Sequence, residues 1–209
     1  MIFIVNAENR GGFGPDLAQM HRHRKAVFVD GIGWDVPVVD DLEIDAYDRD
    51  DTLYLISKTD PAAEVRASAR LLPTVHPHLM SDLFEPACAG GVPRGPDIWE
   101  ASRFCPSPLL CRRRERIEML WEIIAGIMET ALLFGINQVT FAANAGLLPL
   151  ARDCGWRTRV LGPTLPDGKD WITAVAADID PQGLGRLRQR WGIAGPVTRF
   201  MSHTTSLAA

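Results

Sequence analysis

A single three-layer α/β/α domain built on a mixed sheet is the fold class that the sequence predicts, and three observations predict it. Short apolar runs of strand character alternate with segments of helical periodicity, the order expected of packed layers. Two neighbouring strand runs read as a hairpin, so the sheet is not purely parallel. The charged motifs lie in the first half of the chain, with large apolar helical patterns behind them.

Ile2 to Val5 reads as a first strand. The breaker Gly11-Gly12-Phe13-Gly14-Pro15 separates it from a helix that starts near Asp16, an N-cap residue type. That helix carries Leu17, Met20, Arg24, Val27 and Phe28 at three-to-four spacing, and Gly31 and Gly33 stop it. From Trp34 to Asp51 the chain is acidic, contains Pro37 and lacks periodicity, which predicts an ordered loop with a short extended piece; loops of that length are commonly functional. Leu53 to Ser57 and Val65 to Leu72 form the hairpin, joined across Asp60-Pro61 and ended by Pro73. Leu79 to Phe84 is a short helix, and the Gly/Pro-rich stretch Pro86 to Pro96 leads into a strand from Ile98 to Phe104. The clearest helix runs from Glu115 to Phe134, with Ile117, Leu120, Trp121, Ile124, Ile127, Met128, Ala131 and Leu132 on one broad face and Gly135 as its stop. Gln138 to Ala142 is a buried strand, followed by a short helix around Leu147 to Cys154, a strand from Trp171 to Ala177 and a last helix near Gln182 to Trp191. One domain over residues 1–201 and a loosely held tail over 202–209 complete the expectation.

A chain of 209 residues, 46% hydrophobic and 23% charged, is large enough for one generous core. No apolar run approaches the roughly 18 to 20 residues that span a bilayer. The start, Met1-Ile2-Phe3-Ile4-Val5-Asn6, lacks the basic head of a signal peptide, so a cytoplasmic protein with no membrane partner is expected. A net charge of −4 argues against nucleic acid as a partner. The local exception is Arg112-Arg113-Arg114-Glu115-Arg116, which reads either as a solvated helix start or as a surface for an acidic partner or a phosphate. Cys88, Cys105, Cys111 and Cys154 form no CxxC pair, and His76 and His78 make an H-x-H pattern without a third ligand, so neither a disulfide framework nor a metal site is expected.

The run Ile98-Trp99-Glu100-Ala101-Ser102-Arg103-Phe104 carries the chemistry. Strand alternation puts Glu100, Ser102 and Phe104 on one face and Trp99, Ala101 and Arg103 on the other. A carboxylate facing a core is paired, protonated or chemically employed. Upstream, Arg24 to Phe28, Gly33-Trp34-Asp35 and the acidic run Asp40 to Asp48 mix cationic, aromatic and anionic groups in a turn-rich segment. Together the two stretches suggest a site for a charged small molecule.

Arg24, Phe28, Trp34, Asp45, Asp48, Arg70, Phe84, Glu100 and Arg103, in this order and spacing, resemble the LuxI-type acyl-homoserine-lactone synthases. Gly33-Trp34-Asp35-Val36, Glu43-Ile44-Asp45-Ala46-Tyr47-Asp48 and Trp99-Glu100-Ala101-Ser102-Arg103-Phe104 look like that family's signature segments, and the match covers most of residues 1 to 180. The resemblance implies a fold similar to the GNAT N-acyltransferases. It also implies a reaction in which S-adenosylmethionine is a substrate rather than a cofactor: its α-amine takes an acyl group from acyl-acyl carrier protein or acyl-coenzyme A, and lactonisation expels methylthioadenosine.

That chemistry asks for these residue types. The α-ammonium must lose a proton before it attacks a thioester, and Glu100 is the candidate base, with Ser102 a candidate hydrogen-bond donor to the tetrahedral intermediate. A sulfonium, an ammonium and a carboxylate call for aromatic faces, acids and arginine. Phe28 and Trp34 are the candidate enclosure, Asp45 and Asp48 the negative charge, and Arg24, Arg70 and Arg103 the positive, with Arg70 expected to pair with an acid of the loop. The acyl pocket is expected among Phe84, Phe104, Met128, Phe141, Ala142 and Trp171; Ala142 stands where relatives making 3-oxo signals tend to carry threonine, which favours an unsubstituted, branched or aryl acyl group. Two other functions fit part of the pattern: an N-acyltransferase acting on another amine, and a non-catalytic sensor of S-adenosylmethionine or an acyl thioester.

Overall fold

The computed structural model describes residues 1–110, 112–168 and 170–201. The strands are β1 (Ile2–Val5), β2 (Val38–Val39), β3 (Leu42–Glu43), β4 (Leu53–Ser57), β5 (Ala67–Pro73), β6 (Ile98–Pro106), β7 (Gln138–Asn144), β8 (Arg157–Val160), β9 (Leu165–Asp167), β10 (Asp170–Asp178) and β11 (Thr198–Phe200). The helices are α1 (Gly14–Arg24), α2 (Leu79–Asp82), α3 (Arg113–Leu133), α4 (Leu147–Arg152) and α5 (Pro181–Trp191). The main sheet has the order β11-β1-β4-β5-β6-β7-β10-β8, with β9 also on β10, and it is mixed: β6 and β7 are parallel, as are β1 and β11, while the other neighbours are antiparallel. No helix among the described residues is long and apolar enough to cross a membrane.

Alternating side chains divide the interior into two faces. Leu55, Ala69, Leu71, Val139 and Val175 meet Ile123, Met128 and Leu187 from α3 and α5 in the larger core. On the opposite face Phe3, Val5, Tyr54 and Ile56 pack under Met20 of α1, and Ala174 and Ala176 pack under Met80, Ala87 and Cys88. Gly126 marks how closely α3 approaches β1: a Cβ there would lie 3.1 Å from two methyl-bearing carbons of Ile2. The three-layer arrangement is therefore real, with α1 and α2 on one side of the sheet and α3 and α5 on the other.

Several local expectations need correction. Asp16 does not cap the first helix, which starts two residues earlier at Gly14; it sits in the first turn and pairs with Lys58 at 2.6 Å. Of the two glycines expected to stop the helix, Gly33 does so, at φ 86°, while Gly31 lies inside a π-helix, Lys25–Ile32, that continues α1. The acidic loop contains a hairpin: β2 and β3 are joined by Asp40 and Asp41, at φ 50° and 66°, the paired positive values of a two-residue type I′ turn. β8 and β11, the outer strands of the main path, escape hydrophobic periodicity because sheet edges are short and charged, as Arg157, Arg159 and Arg199 illustrate. The tail and Cys111 lie outside the described residues.

Two irregularities of β6 position the site. Ser68 faces Cys105 while Arg70 faces Ser102, so Ala69 opposes both Arg103 and Phe104, and this bulge holds Arg103 at φ 52°. Parity flips there. Arg103 joins the Glu100 and Ser102 side, while Phe104 turns with Trp99 and Ala101 toward the α3 core, the reverse of simple alternation. The second irregularity is a split: β6 and β7 pair only from Ile98↔Gln138 to Glu100↔Thr140, and residues 101–106 and 141–144 run on beyond the last pair.

Candidate active site

The turn that ends the π-helix fixes the aromatic pair. The Trp34 N–H reaches the Phe28 carbonyl at 2.8 Å and the Gly33 N–H reaches that of Val29 at 3.1 Å, a closure of Schellman type in which each bond spans one residue more, as the wider π-helix requires. That closure favours an apolar contact across itself, and Phe28 and Trp34 provide it by stacking at 4.7 Å and 10°. Rings so close leave no thickness for a ligand between them. A cation held by these aromatic faces would lie on the outer face of the pair or part it at Trp34, which is 36% exposed. Gly33 has open space around it, so Gly33→Ala acts through backbone strain alone; a loss of about 1 kcal/mol is expected by thermal denaturation.

Beneath the aromatic pair three arginines and three acids close a ring. Arg24 binds Glu43 through Nε and clasps both oxygens of Asp48 at 2.9 Å. Arg70 binds Asp45 at 2.6 and 3.0 Å, Asp48 at 2.9 Å and the Ser102 hydroxyl at 3.1 Å. Arg103 completes the circuit with Glu43 at 3.0 Å and Asp45 at 2.7 Å. The formal charges cancel, and all six side chains are almost wholly buried, Arg103 and Asp45 least so. Asp48 also accepts from Tyr54 at 2.9 Å. Although burial opposes its charge, hydrogen bonds from Arg24 and the charges of Arg70 and Arg24 hold its carboxyl well below the usual range. Asp45 and Asp48 order their loop as well, accepting the N–H groups of Tyr47 and Asp45 at 2.9 Å. Arg103 lies over both aromatic rings, 5.6 Å from Phe28 and 5.4 Å from Trp34.

Glu100 stands apart from the ring. It is 1% exposed and accepts the Met80 N–H at 2.9 Å. Burial pushes its pKa up to about 7, against that hydrogen bond and the charges of Arg70 and Arg103. Ser102 accepts from Arg70 through its oxygen, which leaves the hydroxyl hydrogen to be directed elsewhere. Cys105 on the same face is buried, and its thiol is pushed up to about 12 by burial, so it is an inert apolar filler.

The acyl-pocket candidates do not form one cluster. Phe104, Met128 and Phe141 belong to the α3 core, Phe84 packs on the opposite face beneath α2, and Trp171 is 56% exposed. Ala142 pairs with Ala174, beyond the last β6–β7 pair. The residues missed in the sequence are Glu43, Tyr54 and His78. Glu43 was signalled by its i, i+2 spacing to Asp45, which shares a face in extended chain; Tyr54 carried no comparable signal, and His78 stood out only in an H-x-H pattern read for a metal.

A mixed sheet covered on both faces is a fold that this chain shares with solved N-acyltransferases. An acyl-CoA N-acyltransferase from Pseudomonas aeruginosa superposes with a TM-score of 0.53 over 84% of this chain and 98% of its own, at 17% identity, a likeness of fold alone. A family model described as autoinducer synthase matches residues 14–187, and the chain belongs to that family. An acyl-homoserine-lactone synthase from Ralstonia solanacearum is 34% identical over 85% of this chain and 88% of its own. The isovaleryl-homoserine lactone synthase of Bradyrhizobium diazoefficiens is 33% identical over 92% and 86%. A CoA-dependent acyl-homoserine lactone synthase solved with S-adenosylmethionine and isopentyl-CoA superposes with a TM-score of 0.88 at 30% identity, covering 97% of this chain and 93% of that one.

Proposed function

We propose that the protein makes an N-acyl-homoserine lactone from S-adenosylmethionine and an acyl-coenzyme A, with Glu100 as general base. The observation that carries the assignment of Glu100 is its place: a buried carboxyl with a pKa near 7, on the strand that borders the β6–β7 split. A base poised near the working pH is best able to take the α-ammonium proton. The freed amine attacks the thioester carbon, the C–N bond forms, the C–S bond breaks, and the departing thiolate takes up a proton. The methionyl carboxylate then attacks the γ-carbon; the bond to the sulfonium breaks and neutral methylthioadenosine leaves with the electron pair.

In this reading Arg103 and Asp45 meet the substrate carboxylate and ammonium, supported by their being the most accessible members of the ring, while Arg24 and Arg70 brace the loop. Ser102 is suited to donate to the tetrahedral oxyanion, since its oxygen already accepts from Arg70. The unpaired stretches of β6 and β7 offer backbone groups to an extended, amide-bearing donor, and the start of α3, with Arg112 and Arg113, follows β6 and suits its phosphates. Relatives named as CoA-dependent and as an isovaleryl-homoserine lactone synthase support a coenzyme A thioester of an unsubstituted or branched acid.

Purified protein incubated with S-adenosylmethionine and straight, branched or aryl acyl-coenzyme A is expected to release methylthioadenosine and a product whose mass spectrum contains protonated homoserine lactone. Acyl-acyl carrier protein is the control donor. Ligand binding without methylthioadenosine would make the protein a sensor, and acylation of a different amine would make it a general N-acyltransferase.

A further inference from the structure

We propose that His78 is a positioning residue of the acylation step, a proton relay that acts through Glu100; the inference rests on the reaction proposed above. His78 begins the turn into α2, where its N–H donates to the Ser81 hydroxyl at 3.1 Å, and its side chain is 0% exposed. The ring Nδ1 lies 2.9 Å from the His76 carbonyl. A carbonyl only accepts, so Nδ1 carries the hydrogen and the neutral ring presents a bare lone pair at Nε2. That nitrogen is buried with no hydrogen-bond partner, and it faces the Glu100 Oε2 at 3.9 Å. The oxygen is the one that takes the Met80 N–H from the same short helix.

Two acceptors buried face to face are costly unless a proton resides between them. A structural histidine would be expected to spend both nitrogens; this one spends a single nitrogen and aims the other at the base. The reaction supplies a use. The α-nitrogen loses two protons, one before it attacks and one as the amide forms. The departing thiolate consumes one, so one must be held until release. Glu100 takes the first and passes it to His78, whose Nε2 becomes N–H, and the freed carboxylate is ready for the second. Around the pair lie Asp82 on α2, Arg49, Arg94 and Tyr47 in the loops, Cys88 beyond the second turn, and Arg70 and Arg103 on the sheet. Burial lowers the His78 pKa while it raises that of Glu100, which brings the two toward a shared proton.

Nitrogen NMR of the imidazole, on wild type and Glu100→Gln, tests the pair without relying on turnover. The expected result is an unprotonated Nε2 at pH 8 and, in wild type, an Nε2 signal that shifts as Glu100 takes up its proton near 7, a step that Glu100→Gln abolishes. Turnover tests the relay. His78→Gln is expected to lower kcat by about tenfold or more with the Km for S-adenosylmethionine within about twofold. The acid limb of kcat/Km would then fall with the slope of one proton, where wild type steepens toward two. A hydrogen on Nε2 at pH 8, an Nε2 signal that does not respond to the Glu100 titration, or a His78→Gln enzyme with wild-type kcat and slope would overturn the relay. Wild type that releases no methylthioadenosine with any thioester would instead overturn the proposed reaction, while the NMR comparison still decides the pair.

Discussion

Glu100→Gln is expected to lower kcat for methylthioadenosine release by roughly 100- to 10,000-fold and to leave S-adenosylmethionine binding within a few-fold of wild type. The amide keeps the shape of the side chain and an oxygen for the Met80 N–H, so the loss isolates proton transfer. In wild type the rate should rise with pH through about 7, as burial of Glu100 requires; in the variant that limb should be absent. Stability should move the other way. The folded protein holds the Glu100 proton to about 7 where an exposed glutamate gives it up at 4.5. Between those values the folded state binds more protons than the unfolded one, so stability falls as pH rises. Above pH 7 the full penalty is present, about 3 to 4 kcal/mol at roughly 1.4 kcal/mol per unit. Glu100→Gln should therefore melt higher than wild type at pH 8 and match it more closely at pH 4.5, measured by calorimetry. A carboxylate held in so unfavourable a place, at a cost to stability, fits a group kept for chemistry.

The centre of the sheet was legible because its strands are apolar on both faces: the expected runs at Leu53 to Ser57 and Gln138 to Ala142 fall on β4 and β7, and the long helix falls on α3 within two residues at its start. The outer strands were not, since edge strands alternate weakly and carry arginine. The members of the charged ring other than Glu43 were singled out, and the pairing of Arg70 with acids of the loop was expected and is found, yet the closure of all six groups into one ring was hidden. Spacing along the chain says nothing about how β3, β5 and β6 bring Glu43, Arg70 and Arg103 together. The bulge was least legible of all. It is built on a non-glycine residue at positive φ, a conformation that nothing in Ser102-Arg103-Phe104 announces. Its cause is tertiary: Arg103 bonds Glu43 and Asp45 from the flipped position, and those charge-assisted bonds offset the backbone strain.

Arg70→Met is expected to destabilise the protein by about 3 to 5 kcal/mol, the largest loss among single substitutions at the site. Arg70 donates to Asp45, Asp48 and Ser102 from within the sheet, and its removal leaves two buried carboxylates each short of a partner. Arg70→Lys should recover only part of the loss, because an ammonium cannot span the bidentate grip on Asp45 and still reach Asp48 and Ser102. The pH dependence supplies an independent check. Asp48 is held below its ordinary 3.8, so its contribution is fully present above that value and is lost as the pH falls below it. With Arg70 gone the depression shrinks, and acid unfolding should begin at a higher pH in chemical denaturation followed across pH 2 to 6. Glu100→Gln and Arg70→Met thus remove charges from neighbouring positions of one sheet with opposite consequences at pH 8. The ring carboxylates are each answered by two guanidinium groups, whereas Glu100 is answered by a single backbone N–H and a bare imidazole nitrogen. If both variants were destabilised alike at that pH, Glu100 would belong to the structural charge network, and its role as the free base of the site would be withdrawn.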